Sequence, residues 1–193
     1  NPPESGKILL HGREVNFRNN REAIARRIAY VPEDRLLQGL VLNQSVENNT
    51  IISIIQKLKN KLGMIDKKEC RAITQRWIDE LRIKSALPEI NASAMSGGNQ
   101  QKIVISKWLS TEPEVLILDQ PTNGIDIAAK NTIYELIREL SRQGMSIIMI
   151  SDEAAEIYYN CPRALVMHKG KIVKELDCSA ITESEFSQEV LSD

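Results

Sequence analysis

Two stretches hold residue types that could act on a phosphate. In "SGGNQQK", Ser96 to Lys102, a hydroxyl and two glycines open a helix whose apolar positions Ile103, Val104, Ile105, Trp108 and Leu109 face a core. Helix starts leave backbone N–H groups unpaired and carry partial positive charge, and glycines allow close approach to the backbone, so an anion fits there. A Ser N-cap after a flexible turn would give the same letters. The second stretch, "EVLILDQPTNGID" from Glu114 to Asp126, runs four apolar residues into Asp119 and then Gln120. A carboxylate at the carboxyl end of a buried parallel strand stands where open α/β sheets bind ligands, and phosphate enzymes use such an Asp to hold Mg²⁺. Gln120 is the odd residue. A carboxylate base there would contribute ~10² to 10⁴ in rate, whereas an amide has no comparable basicity but still orients a water, as in GTPases.

The surrounding pattern predicts the scaffold that must position these residues. "KILLHGREVNFR" reads as a hairpin about His11 and Gly12, "NREAIARR" as a helix, and "IAYVPEDR" as a strand stopped by Pro32. Residues 45–92 have helical spacing with few strand signals, a helical subdomain. The strand "EVLILD", a helix over about 127–143, the strand "SIIMIS", a short helix from Glu153 and the pair "ALVMHK" and "GKIVKEL" follow. This order predicts an α/β fold with a parallel sheet covered on both faces. The expected units are 1–44 (hairpin region), 45–93 (helical), 94–178 (the two chemical motifs) and 179–193 (terminal helix).

Composition narrows the function classes. The 193 residues are 42% hydrophobic and 26% charged, which argues for a globular chain, and a formal net charge of -1 gives no electrostatic argument for nucleic acid or an anionic membrane as partner. Cys70, Cys161 and Cys178 form no C-x-x-C pair, so structural thiols in a reducing compartment are expected. No apolar run approaches the ~20 residues of a membrane span. His11 and His168 read as surface or satisfied-core residues. The start at Asn1 in "NPPESG" reads as that of a fragment or processed chain.

Together "MSGGNQQK", "EVLILDQPTNGID", "SIIMISD" and "YVPEDR" resemble the signature, the Walker B strand with its D-loop, the switch strand and the Q-loop of an ATP-binding cassette (ABC) transporter's nucleotide-binding domain. The details are similar to one branch, the C-terminal cassette of fused ATPases that power monosaccharide uptake. The resemblance implies a P-loop NTPase-like α/β core with ATP and Mg²⁺ as cofactors. It implies that Ser96, Gly97, Gly98, Asn99 and Gln100 contact the γ-phosphate of an ATP held by a partner cassette, and that Asp119 serves Mg²⁺ through water. Gly124, Ile125 and Asp126 would be the D-loop at the dimer interface, and Glu33 takes the place of the usual sensing Gln. Partners implied are the second cassette, transmembrane permease subunits met by the helical stretch, and, indirectly, an extracytoplasmic sugar-binding protein. The place implied is the cytoplasmic face of the plasma membrane.

The chain departs from the family at three positions and lacks one motif. Gln120 replaces the usual Glu, Asp152 the switch His and Glu33 the Gln, each of the last two adding negative charge near a polyphosphate. No G-x-x-x-x-G-K-S/T occurs in the 193 residues, and that loop is what cradles the phosphates. Two other readings stand beside an energy-coupling component: a non-transport ABC protein of the DNA-repair type, and a degenerate cassette that only docks a partner. The expected outcome for residues 1–193 alone is no heat of Mg-ATP binding up to about millimolar concentrations, where the best ligands of such strength reach about -4 kcal/mol; micromolar binding in calorimetry would contradict this reading of the missing loop.

Overall fold

The computed structural model describes residues 5–84 and 87–191; the first four residues of the opening stretch "NPPESG" lie outside them. Strands β1 (Ile8–Leu10) and β2 (Arg13–Val15) pair antiparallel. Their two-residue turn has positive φ at both His11 (52°) and Gly12 (73°), the twist that tight hairpins need. Asn19 caps α1 (Asn20–Ala25), and β3 (Ile28–Val31) ends at Pro32. A single π-helical turn, Arg35–Gly39, follows, with its N-terminal amides held by the Asp34 carboxylate.

The helical stretch contains α2 (Val46–Ile51), which tightens into a 3-10 turn over Ile52–Ile54, and α3 (Lys67–Glu80), capped by Asp66. After it come α4 (Gly97–Leu109), β4 (Val115–Asp119), α5 (Ile127–Arg142) and β5 (Ser146–Ile150). The chain closes with α6 (Ala154–Asn160), β6 (Arg163–His168), β7 (Lys171–Asp177) and α7 (Glu183–Leu191). Strands β6 and β7 form their own antiparallel pair, packed on α6 and α7 through Ala164, Cys178 and Phe186.

The strands that carry the chemical motifs form one parallel sheet, ordered β3-β4-β5. Parallel registry sets Tyr30, Ile117 and Ile148 in one row and Asp119 beside Ile150. Alternate residues therefore share a face. Ala29, Val31, Leu116 and Leu118 point into a core shared with Ile103, Val104, Ile133 and Ile137 of α4 and α5.

The opposite face differs from the expectation of a sheet covered on both sides. Ile148 and Ile150 remain 52% and 45% exposed, and a groove of about 620 Å³ runs between this face and the hairpin, lined by Leu9, Phe17, Ile24, Tyr30, Ile117 and Ile148. The pattern of apolar strands requires cover on both faces; the described residues supply it on one. The far edge of β5 likewise has no strand partner among them.

The two faces should respond differently to truncation. Leu118→Ala is expected to lose about 3 kcal/mol in urea unfolding, the usual cost of emptying a packed site, and Ile148→Ala less than about 1 kcal/mol. Equal losses would mean that something covers Ile148.

Candidate functional site

Strand β4 delivers Asp119 to the edge of the open face, where the Tyr30 hydroxyl donates to its Oδ2 at 2.7 Å. That bond, with some burial, pushes the Tyr30 phenol up to about 12, so Tyr30 stays a neutral donor throughout the physiological range. Gln120 follows with φ 45°. Left-handed backbone costs a non-glycine residue roughly 1 kcal/mol and concentrates where function fixes geometry. Two backbone bonds hold it there: Gln120 N–H to the Ile150 carbonyl (2.9 Å) and Asn123 N–H to the Gln120 carbonyl (3.1 Å).

From Gln120 the chain turns toward α5, whose N-terminus is capped by Asp126 accepting from Ala129 N–H at 2.9 Å. The Glu33 carboxylate lies 3.5 Å from the Asn123 amide nitrogen, a long contact that places it beside this turn. Asp126 and Glu33 are both exposed.

The start of α4 packs against the same turn. Ser96 is the N-cap, its hydroxyl 3.5 Å from Asn99 N–H. A Cβ on Gly97 would lie 3.4 Å from the Gly124 carbonyl, and one on Gly98 would come within 2.5 Å of the Ala129 Cβ. Gly98 is thus required by the chain's own packing before any anion is considered, whereas a side chain at Gly97 would meet chiefly the movable end of Arg35. Asn99 exchanges two bonds with the Lys84 backbone (3.3 and 3.1 Å), and Gln100 donates to the Ala92 carbonyl at 3.2 Å. Both side-chain amides are engaged with the chain's own backbone, half-buried Asn99 at the surface and Gln100 inside, which leaves Ser96 and the first backbone N–H groups of α4 for a ligand.

A buried carboxylate ties the switch strand to this region. Glu156, 5% exposed, accepts from Lys130 Nζ (2.9 Å), Tyr134 (2.6 Å), Ser151 (2.9 Å) and Thr122. Burial alone would push its carboxyl up; the bonds from Thr122, Tyr134, Lys130 and Ser151 outweigh it and hold it below the usual range. Lys130 also reaches Glu153 at 2.7 Å. Asp152 is exposed beside Ser151, two residues past the carbonyl that holds Gln120.

The structure thus gathers Ser96, Gly97, Gly98, Asp119, Gln120, Asp126 and Glu33 around one turn, with Asp152 at the adjoining strand end. Sequence reasoning missed Tyr30, Arg35 and Glu156. Glu156 reads in sequence as one acid of a solvated helix face, while Arg35 stands within "PEDR", two positions after Glu33. No cluster of three or more metal-binding side chains exists among the described residues. A site for Mg²⁺ needs no such cluster, since the ion commonly takes one or two carboxylates together with substrate phosphates and water.

Comparison with known proteins decides the family. The ABC transporter family matches residues 1–123. The chain belongs to the ABC transporter family. The cassette is 43% identical over 181 residues to the "Ribose import ATP-binding protein RbsA" of Caldanaerobacter subterraneus subsp. tengcongensis, covering 94% of this chain and 36% of that protein. It is 41% identical over 182 residues to the "Galactose/methyl galactoside import ATP-binding protein MglA" of Escherichia coli K12, again covering 94% and 36%. The chain therefore spans about a third of the length of these relatives. Among solved structures, a nucleotide-free ATP-binding cassette from an ABC transporter superposes with TM-score 0.76 at 19% identity, over 98% of this chain and 74% of that one. The cassette MJ0796, in a dimeric post-hydrolysis state bound to ADP and Pi, gives 0.73 at 19% over 92% and 75%. These place the fold: an ABC ATPase-type α/β core with a parallel sheet and flanking helices.

Glu156 gives the cassette a pH signature. Its depressed folded pKa means a stability contribution present above the unfolded value of about 4.3 and lost as pH falls through the folded one. Glu156→Gln should cost about 2 kcal/mol or more at pH 7 and flatten the acid limb of the stability curve. An unchanged acid limb would mean that other carboxylates carry it.

Proposed function

We propose that this cassette is the energy-coupling, ATP-binding part of an importer for a monosaccharide or similar small sugar. In this reading it presents the segment Ser96–Gln100, through the Ser96 hydroxyl and the backbone N–H groups of Gly97 and Gly98, to an ATP held mainly by a partner cassette, the Asn99 and Gln100 side chains being engaged within the chain. The observation that carries it is the contact of the α4 start with the turn 120–126, which sets Ser96, the free helix-start N–H groups and the D-loop residues on one edge. Helix-start amides oriented outward suit a phosphate. The ribose and galactose import proteins, at 41–43% identity, support the sugar assignment.

The residues divide by role. Asp119 would hold Mg²⁺, which supplies charge neutralisation at the phosphates when bound. Tyr30 keeps the Asp119 carboxylate oriented from below. Gln120, fixed in left-handed backbone, would orient a water without accepting its proton, and exposed Asp152 and Glu33 add negative charge nearby. That set makes the site on this cassette a weak hydrolytic one, and its signature the more useful contribution. Asp126 both caps α5 and presents the D-loop to the partner cassette. The transmembrane permease would be met by the helical stretch, with an extracytoplasmic sugar-binding protein beyond it. The working place is the cytoplasmic face of the membrane, as a peripheral subunit; no described helix is long and apolar enough to cross a membrane.

Two substitutions in the full-length protein, assayed with its permease, test the reading. Ser96→Arg should lower sugar-stimulated ATP turnover about tenfold or more while nucleotide binding persists, since the bulk lies across the interface. Gln120→Glu should raise turnover by restoring a base. Full activity in Ser96→Arg would refute the signature role.

A further inference from the structure

We propose that Arg35 is a positioning residue that locks the D-loop turn and the start of α4 into one unit and links both to the π-helical turn after Glu33. This inference rests on the composite-site reading above for its catalytic consequence, though its geometry stands apart from it. The Arg35 guanidinium donates from Nη1 to the Asn123 carbonyl at 2.7 Å and from Nη2 to the Gly124 carbonyl at 3.1 Å. Two donors of one rigid fork thus hold two consecutive carbonyls, with Gly124 at φ 67°. A Lys, with a single nitrogen at the end of a flexible stem, cannot reproduce that fork. The same Nη2 also lies beside the helix start, since a Cβ at Gly97 would stand 3.0 Å from it. The Arg35 side chain therefore lies between the D-loop and the first turn of α4, in contact with each.

The segment that presents Arg35 is itself anchored at its far end. A Cβ on Gly39 would meet Val104 Cγ2 at 2.9 Å, and the buried Lys107 ammonium donates to the Gly39 carbonyl. A π-helical turn is a rare backbone form that tends to occur at functional positions. Here its first residue grips the D-loop and its last grips α4. Displacement of Arg35–Gly39 by any contact on exposed Leu36 or Leu37 must pull on Asn123 and Gly124, because the connecting bonds are direct.

The test uses the full-length protein with Arg35→Met, which keeps the stem and removes the fork, and Arg35→Lys, which keeps the charge. Amide hydrogen exchange across residues 120–126 is expected to quicken about tenfold in Arg35→Met and by less in Arg35→Lys, while exchange in α3 stays as in the wild type. With Mg-ATP and permease, kcat should fall about tenfold in Arg35→Met with KM within twofold, because positioning across the interface changes and nucleotide cradling does not. Unchanged exchange over 120–126 would overturn the proposal, as would a parallel loss in α3, which would mark a general packing role. Loss of local protection in a protein whose wild type turns over no ATP would leave the positioning role standing and remove the functional reading instead.

Discussion

At Gly98 the first turn of α4 approaches α5 so closely that a Cβ would come within 2.5 Å of Ala129. Overfilling such a contact usually costs about 1 to 3 kcal/mol, so the two helices keep this distance only while position 98 has no side chain. Much follows from that single approach. It brings Gly97 against the Gly124 carbonyl, aligns the N-termini of α4 and α5 on one edge, and leaves room between them for the Arg35 guanidinium. The buried apolar residues Ile103, Val104 and Ile133 of the same helices then cover one face of the parallel sheet.

A second constraint is electrostatic. Glu156 is buried as an anion, which would be costly by itself, but three hydroxyls and the Lys130 ammonium surround it. Its donors come from the turn after β4, from α5 and from the end of β5. One carboxylate thereby fixes three segments that each border the Asp119–Gln120 corner. Removing the charge disturbs all of them together, whereas removing one hydroxyl leaves three partners in place.

Around these anchors the sheet is unevenly covered. One face is packed; the other shows the row Tyr30, Ile117 and Ile148 and an unpartnered β5 edge among the described residues. Asp119 sits at the end of that open face, with Tyr30 holding one oxygen. Exposed Glu33 and Asp152 and the amide of Gln120 border the same corner.

Much of this was legible in the residues themselves. Alternation and apolar runs placed the hairpin and the strands, because period-2 and period-3.6 burial leave visible patterns, and the order of "SGGNQQK" before "EVLILDQPTNGID" pointed to the family. Tertiary structure alone decided what each motif residue touches. Asn99 and Gln100 bond to the backbone of Lys84 and Ala92, partners that no spacing announces, and the two glycines border Arg35 and Ala129, distant in sequence. Glu156 looks in sequence like any acid on a solvated helix face; only the convergence of Thr122, Lys130, Tyr134 and Ser151 makes it central. Sequence determined which elements form, since that is a local matter of periodicity and caps. The structure decided which of them share an edge, since that depends on contacts between segments far apart along the chain.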